Sequence, residues 1–186
     1  MSNISLLKAT KVILPGALSF ETHHWVASYL FREMKISSND TSTPTPQLHV
    51  LAKTMNHSLH FVAGSSGGLS YGLVISALDK VFTMKSMRGH VLGHGALFGG
   101  YDCFHDLFTF ALKERIEHSK GFDSMSMLVV GLSGGFAGMC QSAMKQLLLS
   151  EVPRMAVLAR SFPPGCAAFT SYEYSRSLLG GSSQHH

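Results

Sequence analysis

Two stretches of the chain carry no charged residue over a length that suits a membrane-spanning helix. They run from Phe61 to Leu78 and from Met125 to Met144, about 18 and about 20 residues, near the roughly 20 that cross a bilayer core. Both are built on Gly, Ser and Ala, which is typical of helices that pack closely on other helices in lipid. A buried helix of a soluble protein can also be apolar over this length, but two such stretches in one short chain favour a membrane.

The apolar segments and turn residues predict five helices of two kinds in the order B, A, B, A, B. We call the two glycine-paired helices type A and the three helices that carry an aromatic and polar pattern type B. A polar loop at 35–56, rich in Ser, Thr and Pro, separates the first two helices. The predicted fold is all-α, an integral membrane bundle in one domain over 1–186. The predicted helices cover about 8–33, 57–83, 88–115, 125–149 and 152–178.

The type A segments contain an internal repeat. Gly64-Ser65-Ser66-Gly67-Gly68 aligns with Gly131-Leu132-Ser133-Gly134-Gly135. Residues without a large side chain allow two helix backbones to approach closely, so we expect these glycines to form helix contacts. The predicted helix-packing residues are Gly64, Gly67, Gly68, Gly131, Gly134, Gly135 and Gly138.

The type B segments repeat as well. Phe98 followed by Tyr101-Asp102 has the spacing of Phe169 followed by Tyr172-Glu173. A looser third copy, Phe20 followed by His23-His24, lies near the start of the chain. The repeat therefore covers all five predicted helices.

This alternation resembles the mitochondrial carrier family, the six-helix solute exchangers of the mitochondrial inner membrane. That family has closely spaced glycines in its odd helices and Arg-x-x-Pro, an aromatic residue and Tyr-Glu in its even helices, as in Arg160-Ser161-Phe162-Pro163 and Tyr172-Glu173 here. The resemblance implies a partial carrier barrel, multi-pass in the mitochondrial inner membrane. The remnants of the carrier motifs are Asp79, Lys80, Arg160, Pro163, Tyr172 and Glu173.

The chain departs from the carrier pattern where the family places its charge network. Odd helices of the family end in Pro-x-[Asp/Glu]-x-x-[Lys/Arg], but Ala77-Leu78-Asp79-Lys80 lacks the proline and Gln146-Leu147-Leu148-Leu149 lacks the acid. The resemblance implies that the first odd helix of the family has no counterpart in this sequence. A gated exchanger needs ionisable residues around a site near the midplane of the membrane. We therefore expect a non-enzymatic accessory subunit of a respiratory-chain complex or the ATP synthase.

Two other functions stay open. One is a working solute carrier of small molecules, completed by oligomerisation or by a partner that supplies a helix. The other is a small translocase-type component, since import channels of the inner membrane also use glycine-rich helix packing. The expected partners are other membrane subunits and lipid, and no cofactor is expected beyond a bound lipid such as cardiolipin.

Composition changes this picture little. Charged residues make up 14% of the chain, against roughly 25% in ordinary soluble domains, and the mean hydropathy is +0.16. The net charge of +4 comes from scattered basic residues rather than from one stripe, which argues against nucleic acid as a partner. Cys103, Cys140 and Cys166 are an odd number in apolar settings, so we expect buried thiols rather than disulfides.

No catalytic or metal site is predicted. His90 and His94 are spaced to share one helical face, as a metal pair requires, but no third ligand follows in register. The chain shows no phosphate loop, no dinucleotide fingerprint and no Ser-His-Asp order, so nothing in it indicates an enzyme.

Overall fold

The computed structural model consists of helices joined by short connections. It describes residues 3–38, 46–79, 83–117, 124–148, 152 and 154–178. The all-α fold and the five helices predicted from the sequence are confirmed for this part of the chain. The helices are α1 (Asn3–Ser38), α2 (Pro46–Asp79), α3 (Met84–Glu117), α4 (Ser124–Leu148) and α5 (Met155–Leu178).

The first two helices extend into the region predicted as a polar loop. α1 continues to Ser38 and α2 already begins at Pro46, whereas we expected a loop over 35–56. Proline at the first position of a helix costs no hydrogen bond, because its missing N–H would be unpaired there, and its fixed φ suits the helix. Pro46 therefore starts α2 instead of interrupting it, and residues 39–45 lie outside the described part.

The chain divides into two compact units at a point inside α3. The first unit is Met1–Gly99 and the second is Gly100–His186. Thus α1, α2 and the first half of α3 belong to one unit, and the second half of α3, α4 and α5 belong to the other. The predicted domain spanned the whole chain, and each unit is described by itself below.

Within the described ranges, two helical segments are long and apolar enough to cross a membrane. They are Asn56–Asp79 and Ser126–Leu148, with mean hydropathies of 1.4 and 1.3. Only 28% and 39% of their most apolar windows are buried inside the protein. The core helix of a soluble protein would be mostly buried, so the outward apolar sides of these segments favour association with a membrane. Large apolar residues exposed on these two segments include Val62, Leu69, Leu73, Leu128 and Leu147.

Among the residues whose side chains the structure describes, few large side chains are fully buried in either unit. Phe98 in the first unit and Phe169 in the second are 2% and 3% exposed, and Val129 is 2% exposed. The other positions in close contact are mostly Gly, Ala and Ser, including Ala63 and Ala137, which are completely buried. Close approach of helix backbones, rather than a thick layer of large side chains, therefore holds the helices of each unit together.

The candidate helix-packing site

Glycines line the contact between α2 and α3 in the first unit. A Cβ atom at Gly64 would lie 2.7 Å from the carbonyl oxygen of His94 and 2.8 Å from the Cβ of Phe98. A Cβ atom at Gly68 would meet the carbonyl oxygen of His90. The later glycine of α2, Gly68, faces the earlier residue of α3, His90, so the two helices are antiparallel here. Any larger residue at these two positions must separate the helix backbones.

The contact between α4 and α5 in the second unit has the same construction. A Cβ atom at Gly134 would lie 2.7 Å from the carbonyl oxygen of Gly165 and 2.8 Å from the Cβ of Phe169. At Gly138 it would lie 2.6 Å from the carbonyl oxygen of Ser161. Gly165 faces the backbone of Gly134 in return, so glycine lies on both sides of the crossing. The ring of Phe162 packs against the backbone of a third glycine, Gly135.

The two contacts are copies of one arrangement. Gly64 meets Phe98 as Gly134 meets Phe169, and Gly68 meets a backbone carbonyl of α3 as Gly138 meets one of α5. Phe98 and Phe169 are the pair that the sequence repeat aligned. In the type A helices, however, the structure pairs Gly64 with Gly134. The sequence alignment of Gly64 with Gly131 is therefore wrong by three residues, about one helical turn. The local glycine spacing is ambiguous, and only the facing helix shows which glycine lies at the crossing.

Gly131 lies at the margin of this contact. Its nearest neighbour would be the Oγ1 of Thr170, 3.4 Å from an added Cβ, which is close to an ordinary van der Waals distance. Of the predicted packing glycines, Gly131 is thus the one at which an added Cβ would make no contact shorter than 3.4 Å.

The contact between α1 and α2 is also built from small residues. A Cβ at Gly67 would lie 2.6 Å from the carbonyl oxygen of Ser19, and the Thr22 hydroxyl donates a hydrogen bond of 3.2 Å to the Oγ of Ser70. Ser19 is only 1% exposed. Neither Ser19 nor Thr22 was singled out from the sequence, because isolated Ser and Thr occur throughout polar and apolar helices alike.

The second half of α3 contacts α4 in the corresponding way. A Cβ at Gly100 would lie 3.3 Å from the Cβ of Cys140 and 3.6 Å from the Cα of Ala137. In the repeat, Gly100 is thus equivalent to Thr22, Cys140 to Ser70, and Ala137 to Gly67. The repeat therefore includes how a type B helix contacts the type A helix that follows it.

An aromatic ring stacks on the buried phenylalanine in each unit. The ring of His23 lies parallel to that of Phe98 with centroids 3.9 Å apart, and Tyr101 lies on Phe169 at 4.0 Å. The Nε2 atom of His23 is also 3.2 Å from the Nδ1 atom of His60. His23 and Tyr101 are therefore equivalent, which extends the repeat from α1 to α3. The sequence repeat pairs the same two residues.

The described remnants of the carrier motifs lie on α2 in the first unit and on α5 in the second. Asp79 is exposed at the end of α2, and Lys80 lies outside the described residues. Arg160 and Pro163 are exposed on α5, whereas Tyr172 and Glu173 are half-buried. Thirteen residues separate Arg160 from Glu173 on one helix, about 20 Å at 1.5 Å per residue, so these two charges do not pair with each other.

No known protein family, curated protein or solved structure matches the chain. The resemblance to mitochondrial carriers thus stays a prediction from the residues quoted above.

A cluster of polar rings is particular to the first unit. Tyr71 on α2 lies 5.1 Å from His90 and 4.8 Å from His94, measured between ring centroids. The Nδ1 of His94 donates to the carbonyl oxygen of His90 at 2.9 Å. The equivalents of the two histidines in α5 are Ser161 and Gly165. Within the described ranges, no three His, Cys, Asp or Glu side chains are grouped as a metal site requires.

The three cysteines are free thiols, but one expectation about them was wrong. Cys140 and Cys166 are half-buried at the contacts of α4, whereas Cys103 is exposed. An apolar sequence context predicted burial of all three. Cys103 lies on the outward side of α3, because local composition does not show which side of a helix faces a neighbour.

An open groove of about 440 Å³ lies beside the contact of α2 and α3. His57, Ser58, Phe61, Val62 and Gly99 line it. The groove brings polar His and Ser side chains to a segment that is otherwise apolar enough to cross a membrane. It is confined to the first unit, as is the cluster around Tyr71.

Proposed function

We propose that the chain is a non-enzymatic, multi-pass subunit of the mitochondrial inner membrane that packs within a respiratory-chain complex or the ATP synthase. The observation that carries the proposal is the pair of equivalent glycine contacts, in which Gly64 and Gly68 of α2 face α3, and Gly134 and Gly138 of α4 face α5. These contacts lie on the two segments whose opposite sides are apolar and exposed. The mitochondrial location rests on the carrier resemblance alone.

Glycine contacts of this kind suit lipid better than water. Lipid tails are as apolar as leucine, so helices in a bilayer gain little from burying large apolar side chains against each other. They associate through close van der Waals packing, which small residues permit. The small number of large buried side chains in both units agrees with this mode of association.

The separation of the charged remnants supports packing rather than gated exchange. A carrier closes its matrix side with charges that meet each other, and Arg160 and Glu173, about 20 Å apart on α5, do not form such a pair with each other.

A translocase-type component is the second candidate function. The groove with His57 and Ser58 favours it, because polar side chains on a membrane-spanning helix normally line a path or contact a partner. The two candidates differ in what the protein assembles with, and the same measurement separates them.

Native electrophoresis of mitochondria extracted with digitonin, followed by mass spectrometry of the band, tests the proposal. We expect the chain to co-migrate with a respiratory complex or the ATP synthase and to stay in the membrane pellet after alkaline extraction. Co-migration with import components would support the second candidate instead. Migration near the monomer mass of 20.2 kDa, or as a small homo-oligomer, would reject both.

A further inference from the structure

The groove beside the contact of α2 and α3 has a polar end and an apolar part. His57 and Ser58 form what we call the polar end, and Phe61, Val62 and Gly99 line the apolar part. On α2, each residue of the polar end lies one helical turn before an apolar one on the same side of the helix. The volume of about 440 Å³ is within the roughly 300–1,000 Å³ that is usual for small-molecule sites. A ligand that fills this groove therefore needs a polar group next to an apolar chain.

Aromatic side chains on α1 indicate the depth of the groove in a membrane. The polar end lies at the beginning of the apolar segment Asn56–Asp79. One turn further, the ring of His60 lies 5.2 Å from the ring of Phe31 on α1. Just before Phe31, Trp25 and Tyr29 are exposed and stack on each other with ring centroids 6.2 Å apart. Exposed Trp and Tyr are typical of the membrane surface, so the polar end belongs at the surface and the apolar part in the hydrocarbon.

The groove suits a flexible chain better than another helix. The close helix contacts of the first unit are made at glycines such as Gly64 and Gly68, where two backbones meet. In the groove, α2 presents His57, Phe61 and Val62 instead, and these larger side chains keep a second backbone at a distance. An acyl chain is thin enough to follow the space between such side chains.

The second unit has no polar end at the equivalent place. The equivalence of Gly64 with Gly134 puts Met127 and Leu128 at the two positions of the polar end. The glycine contacts of the two units are otherwise alike, so helix packing does not account for a histidine and a serine here. The polar end therefore serves a purpose that is particular to the first unit.

We infer that the groove binds one phospholipid, whose phosphate lies at His57 and Ser58 and one of whose acyl chains lies along Phe61 and Val62. The serine hydroxyl and an imidazole N–H donate hydrogen bonds to phosphate oxygens, which only accept them. The acyl chain covers the apolar part of the groove. The inference rests on the membrane location in the proposed function, but not on the assembly that the chain joins.

Three variants of the full-length chain test the inference. His57→Met combined with Ser58→Leu gives the polar end the residues of the second unit, and Val62→Phe fills the apolar part. The control is Leu69→Phe, at an exposed position two turns further along the same side of α2 and outside the groove lining. Each protein is purified from its native membranes, washed with lipid-free detergent and weighed by native mass spectrometry. We expect the wild type and Leu69→Phe to retain one phospholipid, and the other two variants to retain about tenfold less.

The outcomes separate the groove from the proposed function. Equal retention of phospholipid by all four proteins, or a retained quinone or sterol in place of a phospholipid, would overturn the inference. If the wild type retains no lipid but still co-migrates with a larger assembly, only the lipid site is wrong. If the wild type migrates alone while the expected pattern of retention is found, the proposed function fails and the lipid site stands.

Discussion

The substitution Gly138→Ala adds one methyl group at the contact between α4 and α5 and so tests how close the two helices are. In Gly138→Ala the new Cβ would lie 2.6 Å from the carbonyl oxygen of Ser161, which belongs to the backbone and cannot rotate away. Separating the helices costs about 1–3 kcal/mol, and the better helix propensity of alanine returns about 1 kcal/mol. We expect a net loss of stability, measured as a lower midpoint in thermal or denaturant unfolding of the purified protein in mild detergent.

The control for this substitution lies in the same helix. Gly131→Ala gains the same helix propensity but meets only the Oγ1 of Thr170 at 3.4 Å. It should be neutral or stabilise the protein by up to about 1 kcal/mol. Equal destabilisation by both substitutions would contradict the contact described for Gly138.

The buried phenylalanine of the second unit gives a larger effect. Phe169→Ala removes a side chain that is 3% exposed and on which Tyr101 stacks at 4.0 Å, so we expect a loss of about 3–5 kcal/mol in the free energy of unfolding. Phe110→Ala, at a position 81% exposed, should change it by less than about 0.5 kcal/mol in the same detergent. Similar losses for the two variants would mean that Phe169 is not a core residue.

At the scale of elements, the register of the repeat makes a comparative prediction. Gly64→Ala and Gly134→Ala both place a Cβ 2.7 Å from a carbonyl oxygen and 2.8 Å from a phenylalanine Cβ. We expect equal losses of stability from these two substitutions, read from the same unfolding experiment. The alignment of Gly64 with Gly131 predicts instead that Gly131→Ala behaves like Gly64→Ala, so the three variants decide between the two registers.

Helix identity was predictable from the sequence, whereas helix register was not. Apolar length and glycine content identified α2 and α4, and aromatic spacing related Phe98 to Phe169. The periodicity of a helix repeats every three to four residues, so a glycine-rich stretch aligns almost equally well one turn away. The predicted end of the loop was wrong for a similar reason. Proline can interrupt a helix or begin one, and the surrounding structure determines which of the two occurs at Pro46.

At the scale of the whole molecule, association with lipid makes a distinctive prediction. Leu69 lies in the middle of the segment Asn56–Asp79 and is 45% exposed. On a surface exposed to water, Leu69→Arg would leave the stability nearly unchanged. At the centre of a membrane helix, an arginine makes the free energy of insertion less favourable by about 2.5–3.5 kcal/mol. We expect Leu69→Arg to reduce the fraction of protein that resists alkaline extraction from membranes.

The matched control is an arginine near the end of the other segment. Leu147 is 58% exposed close to the end of α4, where a long cationic side chain reaches the interface. We therefore expect Leu147→Arg to resist alkaline extraction from membranes as well as the wild type does. If Leu69→Arg is equally well retained and the purified protein is soluble without detergent, the proposed membrane location is wrong.

The sequence by itself determined the kind of protein: helices in the order B, A, B, A, B, two of them with segments apolar enough for a membrane, with glycine where close contacts form. These properties depend on composition and short-range spacing, which every segment carries alone. Only the tertiary structure decided that Gly64 corresponds to Gly134, that Ser19 and Thr22 contact α2, and that Cys103 lies exposed on α3. Those facts depend on which side of each helix meets another, and residues far apart in the chain decide that together.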